Sequence, residues 1–326
     1  MPLSGTIAAD RLISLSGKVL ITGGAGYLGR AILQRAQIEG WSCKIGILSR
    51  DEEKQWQISS RYGDRVRCIL GDVRDKEALL YKIQSYDIII HAAAIKFIPE
   101  AESNVLETIK TNLQGSLNVA WAAARAGVQQ VIGISTDKSC QPVNTYGMTK
   151  ALMERAFSEA CSWGNTAFTL VRYGNVVGST GSIVPIFRQQ LAQQGRVTVT
   201  DERMTRFWIS PDDAVDLILL ALAQGEKLPG RIFAPRCGAM SIGDLAQIIA
   251  AGAPIDIIGI RPGEKMHEDL IHYQEASRSE LLADYFMVHP ATYKGQAKPW
   301  TYSSHSPAFW IQPDEMRKMI KEAEKI

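Results

Sequence analysis

Along the first half of the chain, short apolar runs alternate with segments of helical spacing. KVLITG (Lys18 to Gly23) reads as a strand, and from Tyr27 to Gln37 the residues Leu28, Ile32 and Leu33 fall on one helical face. CKIGILSR and RVRCILGD read as a second and a third strand, and Lys76 to Gln84 as a helix. DIIIHAAA (Asp87 to Ala94) is a fourth strand, its unbroken apolar run suited to a strand covered on both faces. A long helix is expected over about Asn104 to Ala126, then the strand VQQVIGIST, a helix over Tyr146 to Ser162 and the strand AFTLVRYGNV. Such alternation implies right-handed crossovers and an α/β fold with a doubly wound parallel sheet.

After about Gly174 the rhythm breaks, with glycine, serine and proline clustered in GNVVGSTGSIVP. Short strands and helices then mix: TRFWIS, a helix from Pro211 to Ala223, RIFAPR, a helix from Ser241 to Ala251, and IDIIGIR. Pro211, Asp212 and Asp213 suit a helical first turn, where carboxylates face the positive end of the dipole. An amphipathic helix from Pro313 to Lys325 is expected to close the fold. The pattern predicts a dinucleotide-binding domain over 1–176 and a smaller mixed α/β lobe over 177–326, with some chain crossing back.

Composition narrows the class. The chain has 326 residues, 46% hydrophobic and 21% charged, with 36 basic against 34 acidic side chains. This is the profile of a soluble globular protein, and its balance makes no electrostatic case for nucleic acid or membrane partners. The five cysteines are scattered without a CxxC pair, so reduced thiols are expected rather than a zinc knuckle or disulfides. The opening MPLSGTIAADRLISLSG does not read as a signal peptide, and a cytoplasmic location is expected.

Candidate chemistry begins at TGGAGYLG, where Gly23, Gly26 and Gly29 stand between a strand and a helix. Glycines there let backbone N–H groups approach a pyrophosphate at the positive helix end, as in a Rossmann sheet. At the end of the second strand come Ser49, Arg50 and Asp51, then Lys54. The planar fork of an arginine suits a 2′-phosphate, so NADP is expected, while Asp51 leaves NAD open. Asp72, after the third strand, is placed to accept from an adenine amine.

Ser135 to Lys150, STDKSCQPVNTYGMTK, carries the reaction centre. Tyr146 and Lys150 are spaced Y-x-x-x-K, so they share one helical face. An ammonium beside the phenol would lower its pKa and make it a base toward a substrate hydroxyl. Thr136 can bond the same hydroxyl. Asp137 and Lys138 read either as a surface ion pair or as an extra acid and amine at the ligand-binding edge of the sheet, suited to loss of water beside a new carbonyl.

This segment resembles the active-site stretch of the inverting UDP-N-acetylglucosamine 4,6-dehydratases, the 5-epimerising branch of the extended short-chain dehydrogenase/reductase superfamily. ITGGAGYLG, LSRDEEKQ, GDVRD, HAAAIKFIPEAESN, IKTNLQGSLNV, RYGNVVGSTGSIVPIF, MTRFWIS and RPGEKMHEDL extend the resemblance over nearly the whole chain. Asp137-Lys138 is the discriminating pair. Retaining 4,6-dehydratases carry Asp-Glu after the strand-end threonine, and simple 4-epimerases lack Asp-Lys. Ser139-Cys140 departs from the small apolar residues common there, with no mechanistic consequence expected.

The resemblance implies catalytic roles for Thr136, Asp137, Lys138, Tyr146 and Lys150. Tyr146 would deprotonate the C4 hydroxyl, Lys138 would take the C5 proton, and Asp137 would help the C6 hydroxyl leave. It implies that Thr22, Tyr27, Leu28, Val73, Ala92, Ala93, Ala94, Asn112 and Val176 lie around NADP with the residues already named. Lys96, Asn175, Thr205, Arg206, Arg261 and Glu264 are expected at a UDP-sugar. A homo-oligomer, dimer or hexamer, is expected through the helices near 104–126 and 146–162. Two other readings stand beside this one: another nucleotide-sugar enzyme such as a 4-epimerase, and a non-catalytic NADP sensor, against which the retention of Thr136, Tyr146 and Lys150 argues. His91 and His267 lack the partners of a metal site, and none is expected.

Overall fold

The computed structural model describes residues 17–295 and 300–326; most of the opening stretch read above for a leader lies outside the described residues. The first half folds as β1 (Lys18–Thr22), α1 (Tyr27–Glu39), β2 (Lys44–Ser49), α2 (Glu52–Tyr62), β3 (Val66–Leu70), α3 (Lys76–Ile83) and β4 (Ile88–His91). Next come α4 (Ile98–Ser103), α5 (Val105–Thr108), a π-helical segment (Ile109–Gln114), α6 (Gly115–Ala126), β5 (Gln130–Ile134), α7 (Thr145–Ala160) and β6 (Ala167–Val171). The second half opens with β7 (Asn175–Val176), α8 (Ile183–Gln194), β8 (Val197–Val199), β9 (Thr205–Ile209), α9 (Pro211–Gly225) and β10 (Ile232–Pro235). It continues through β11 (Ala239–Ser241), α10 (Ile242–Ala250), β12 (Ile255–Ile257), β13 (Asp269–Ile271) and α11 (Tyr273–Ala276). It ends with β14 (Ser279–Leu282), β15 (Tyr285–Val288), β16 (Tyr302–Ser303) and α12 (Pro313–Ala323).

One nine-stranded sheet organises these elements, in the order β14-β15-β10-β6-β5-β4-β1-β2-β3. Pairing is parallel from β3 through β10 and antiparallel at β15 and β14. The sheet is the α/β doubly wound one expected from the alternation. Strand order reverses between β1 and β4, which opens a crevice at their carboxyl ends. Residues 177–326 divide between two places. β10, β14 and β15 extend the large sheet and α9 packs on it, while Val184, Phe187, Trp208, Met240 and Leu245 build a second core with α10 and α12.

Four helices, α2, α4, α8 and α11, escaped the sequence pattern. α2 buries only Gln55, Ile58 and Tyr62, too thin a stripe to stand out, and is started by Asp51, whose carboxylate accepts from Lys54 N. α8 begins immediately after the glycine- and serine-rich break. The single helix expected over 104–126 is interrupted instead. Asn112, in the π-helical segment, turns its amide onto the loop after β4, accepting from Ile95 N at 2.8 Å and donating to Ile95 O at 2.9 Å. A π-helical turn is one way a helix re-aims a single side chain, and here it ties helix to loop.

Behind the turn that follows β5 lies a buried ionic network. Glu154 on α7 accepts from Ser135 Oγ at 2.6 Å and Ser139 Oγ at 2.7 Å, the residues flanking Thr136 to Lys138. Its carboxylate is matched by Arg172 after β6, through Nη2 at 2.7 Å and Nε at 3.0 Å. Arg172 also pairs with Glu275 and donates to Leu270 O at 2.9 Å. Ser139, the departure noted in the sequence, therefore has a structural task, since its hydroxyl donates to Thr136 O at 2.6 Å as well. Removing one partner of a buried pair leaves an uncompensated charge and costs about 3–5 kcal/mol. Arg172→Met should therefore lower the unfolding free energy by about that amount. Urea denaturation checks this, and a loss under about 1 kcal/mol would show that the network does not hold the turn.

Candidate functional site

The carboxyl ends of β1, β4 and β5 meet above the crevice, and the sequence-selected residues gather there. At the end of β1 the chain turns through Gly23, at φ +69°, where a Cβ would lie 2.8 Å from the Ala93 backbone. A Cβ on Gly29 would lie 2.0 Å from Gly24 O. α1 starts at Gly26 with no side chain capping it and no acid in its first turn. The result is an uncompensated positive helix end behind a loop that only glycine can line, which fits a pyrophosphate. Tyr27 turns away from it, donating from its hydroxyl to Val177 O at 3.0 Å and Ala323 O at 3.2 Å, which anchors α1 to the second half.

Beside this loop the residues expected at the nucleotide separate into two groups. Arg50 is exposed, with Nη1 3.9 Å from Asp72. Asp51 is committed to the α2 cap and to Lys54, and Ser49 is held by Gln55. Asp72 is gripped by Arg74 through Nε at 2.8 Å and Nη2 at 2.6 Å. Val73 lies in the core, leaving only its backbone for a ligand, whereas Ala92, Ala93 and Ala94 remain half-buried at the crevice. Leu28 packs partly against the core.

Thr22 reaches no ligand position. Its hydroxyl meets His91 Nδ1 at 2.7 Å, and His91 Nε2 meets Ser116 Oγ at 2.9 Å. Complete burial, with Lys150 nearby, pulls the imidazole down to about 3, so it is neutral and ties β1 to β4 and α6. Asn112 donates to Thr149 Oγ1 at 3.1 Å, joining the same frame to α7. Its amide is occupied by these partners.

The candidate reaction centre is a 3-10 turn, Asp137–Ser139, that follows Thr136. α7 can press on it because residue 147 is glycine: a Cβ there would lie 2.2 Å from Lys138 O. Asp137 is fully buried, and Lys138 Nζ donates to its Oδ1 at 3.0 Å. Thr136 Oγ1 donates to the same oxygen at 2.9 Å, while Oδ2 has no hydrogen-bond partner among the described residues. Burial raises Asp137 above the usual carboxylate range, with Glu268 adding to the rise against Lys138. Burial lowers Lys138, but Asp137 and Glu268 outweigh it and hold its ammonium above the ordinary value. The pair thus sits in protein and not on the surface.

Tyr146 and Lys150 share a face of α7, but their charges are arranged differently from the expectation. Lys150 Nζ donates to Ile134 O at 2.7 Å, at the end of β5, and burial lowers its ammonium to about 8. Burial pushes the Tyr146 phenol up to about 12; the groups that oppose this are Lys138 and Thr136. The cation that favours the phenolate is Lys138, while Lys150 gives one of its three N–H groups to the Ile134 carbonyl.

On the second half, Asn175 stands 3.5 Å from Lys138 Nζ, and Val176 follows it on β7. Lys96 is exposed beside Phe97, its Nζ 5.5 Å from the ring centroid, and protein packed around its stem draws its ammonium down to about 8. Arg261 is exposed, in a turn where its N–H donates to Glu264 Oε2 at 3.2 Å. Thr205 and Arg206 face inward. Thr205 Oγ1 meets His267 Nδ1 and Ser304 Oγ, both at 2.8 Å, and Arg206 donates to Thr205 O at 2.7 Å and Lys265 O at 2.9 Å. They hold the segment from Lys265 to Glu268, and that segment supplies what the sequence reading missed. Glu268 lies 3.5 Å from Lys138 Nζ, and Lys265 donates to Cys140 O at 2.8 Å. The only signal for them was their place in RPGEKMHEDL, where Arg261 and Glu264 alone were expected at the substrate.

The chain is similar over most of its length to known proteins. Residues 19–290 match the family described as polysaccharide biosynthesis protein. A Campylobacter jejuni protein named UDP-N-acetylglucosamine 4,6-dehydratase (inverting) is 39% identical over 94% of this chain and 98% of its own. A Rickettsia massiliae protein named UDP-glucose 4-epimerase is 38% identical over 83% of this chain and 82% of its own. The solved structure of Pen from Bacillus thuringiensis superposes with a TM-score of 0.88 at 30% identity, covering 97% of this chain and 100% of that one. The chain belongs to the polysaccharide biosynthesis protein family, in the short-chain dehydrogenase/reductase line that contains the inverting UDP-N-acetylglucosamine 4,6-dehydratases.

Proposed function

We propose that the chain is an NADP-dependent hydro-lyase that removes water across C5 and C6 of UDP-N-acetylglucosamine and inverts C5. Its product would be UDP-2-acetamido-2,6-dideoxy-β-L-arabino-hex-4-ulose, for surface-glycan synthesis. The observation that carries this reading is the buried Asp137–Lys138 pair beside Tyr146, an acid and an amine that a simple redox centre does not need.

When bound, a nicotinamide dinucleotide would accept the hydride that leaves C4 and give it back to C6 after water is lost, so the cycle has no net redox change. Tyr146 takes the proton of the C4 hydroxyl, with Thr136 orienting that hydroxyl and the Lys138 charge favouring the phenolate. The C4 ketone acidifies the C5 proton. A proton passing along the 3.0 Å bond from Lys138 to Asp137 leaves a neutral amine for C5 and a carboxylic acid for the departing C6 hydroxyl. Burial raises Asp137 toward accepting that proton, while Asp137 and Glu268 hold Lys138 charged at rest. The free Asp137 Oδ2 is the atom offered to the hydroxyl. Water leaves carrying the Asp137 proton, and C5 is then reprotonated from the opposite face. Lys96, Arg261 and Glu264 are assigned to the UDP-sugar, with Asn175 beside the reacting carbons.

The nucleotide site is read as one for NADP because Arg50 is exposed and Asp51 is occupied by the α2 cap. The exposed Leu106 on α5 and Leu152 on α7, at 72% and 52%, support a homo-oligomer formed through these helices. No helix among the described residues is long and apolar enough to cross a membrane, in keeping with a cytoplasmic assignment. A 4-epimerase is the second reading, favoured by the Rickettsia relative's name.

Incubation with UDP-N-acetylglucosamine followed by mass spectrometry tests the reaction. Loss of one water is expected; unchanged sugar, or only its galacto epimer, would sink the dehydratase reading. Lys138→Ala should slow water loss by about 10²–10⁴-fold, the usual worth of a general base, while leaving UDP binding intact. Elimination at the normal rate in that variant would remove Lys138 from the mechanism. Nucleotide released by denaturing the protein should be NADP(H); NAD(H) alone would refute the Arg50 argument.

A further inference from the structure

Glu268 enters the centre from the opposite half of the molecule, between Lys265 and β13. Its backbone is clamped on both sides by Ser304: Glu268 N donates to Ser304 Oγ at 2.9 Å, and Ser304 N donates to Glu268 O at 2.8 Å. Its side chain is 1% exposed. Oε1 lies 3.5 Å from Lys138 Nζ and Oε2 lies 3.2 Å from Lys265 Nζ. A buried carboxylate is costly unless matched, and this one is matched by reacting machinery on one side and by a lysine bonded to the catalytic turn on the other.

We propose that Glu268 is a positioning residue that keeps the shared proton on the Asp137–Lys138 pair and thereby sets the pH window of the reaction. This rests on the dehydratase reading above. The pair works only when it holds one labile proton, which sits on Lys138 at rest and on Asp137 at the moment of elimination. With both groups protonated there is no base, and with both deprotonated there is no acid. A fixed negative charge beside the pair holds that proton in place and lifts both limits of the window, as expected for coupled sites.

The groups facing this centre are known from each packed element. Asp137 sees Lys138, Glu268, Thr136, Tyr146 and Cys237; Lys138 sees Asp137, Glu268, Arg206, Asn175 and Tyr146. Glu268 sees Lys138, Lys265 and Arg206, whose charges hold it below the usual carboxylate range although burial opposes them. It is therefore the fixed anion of the cluster and not the group that titrates in the working range. Its charge raises both Asp137 and Lys138.

The test is the pH profile of kcat/KM for water loss in the wild type, Glu268→Gln and Glu268→Asp. Glu268→Gln preserves shape and removes charge, so both limbs should move to lower pH, by about one unit. Glu268→Asp keeps the charge and should return both limbs toward the wild-type positions. A Gln profile superimposable on the wild type overturns the proposal. So does a rise in KM with unshifted limbs, which would make Glu268 a substrate ligand or a scaffold residue. Should Glu268→Gln fail to fold, the Asp variant decides: wild-type limbs support the proposal, and limbs displaced to lower pH overturn it. If the wild type itself removes no water, the failure lies with the dehydratase reading and not with Glu268.

Discussion

A carboxylate with no exposed surface, bonded to the lysine next to it, is the constraint around which this molecule is arranged. Asp137 lies at the carboxyl end of β5, and burying it against Lys138 would be unfavourable without further partners. The fold supplies them from every side. Glu154 and Arg172 fasten the flanking serines from behind, Gly147 lets α7 close on the Lys138 carbonyl, and Lys265 and Glu268 arrive from the other half of the chain. The turn is therefore held by three sequence-distant segments, so its geometry depends on the whole chain being folded.

The same logic explains the crevice. His91, kept neutral by burial, bonds Thr22 on one side and Ser116 on the other. It ties β1 and α6 to the carboxyl end of β4, where the strand order reverses and a doubly wound sheet takes its ligand. Asn112 extends that frame to Ile95 and to Thr149 on α7. The glycine loop after β1 and the turn after β5 are thus tied into one buried polar framework, the kind of rigid support that the proposed hydride and proton transfers require.

Legibility in the sequence followed periodicity. The parallel strands were visible because strands covered on both faces must be continuously apolar, and the glycine loop because its spacing has few other uses. Tyr146 and Lys150 were legible from their spacing, whereas Asp137 and Lys138 read equally as a surface ion pair until the resemblance singled them out. What escaped depends on contacts between distant residues. Nothing local tells that Lys150 donates to Ile134 O, or that Thr205 and Arg206 brace the segment from Lys265 to Glu268. α2 was missed because a helix that buries only Gln55, Ile58 and Tyr62 leaves little pattern. Glu268 was invisible as a partner of Lys138 because 130 positions of chain separate them, and only the folded lobe brings them together.

The central claim is that one buried acid–amine pair removes the C5 proton and the C6 hydroxyl and lets C5 return with the opposite hand. Proton NMR of the wild-type product formed from UDP-N-acetylglucosamine in D₂O addresses it most directly. Deuterium at C5 in a sugar of L-arabino configuration is the expected result. Protium at C5, or a 4-keto product that keeps the original C5 configuration, would contradict the account.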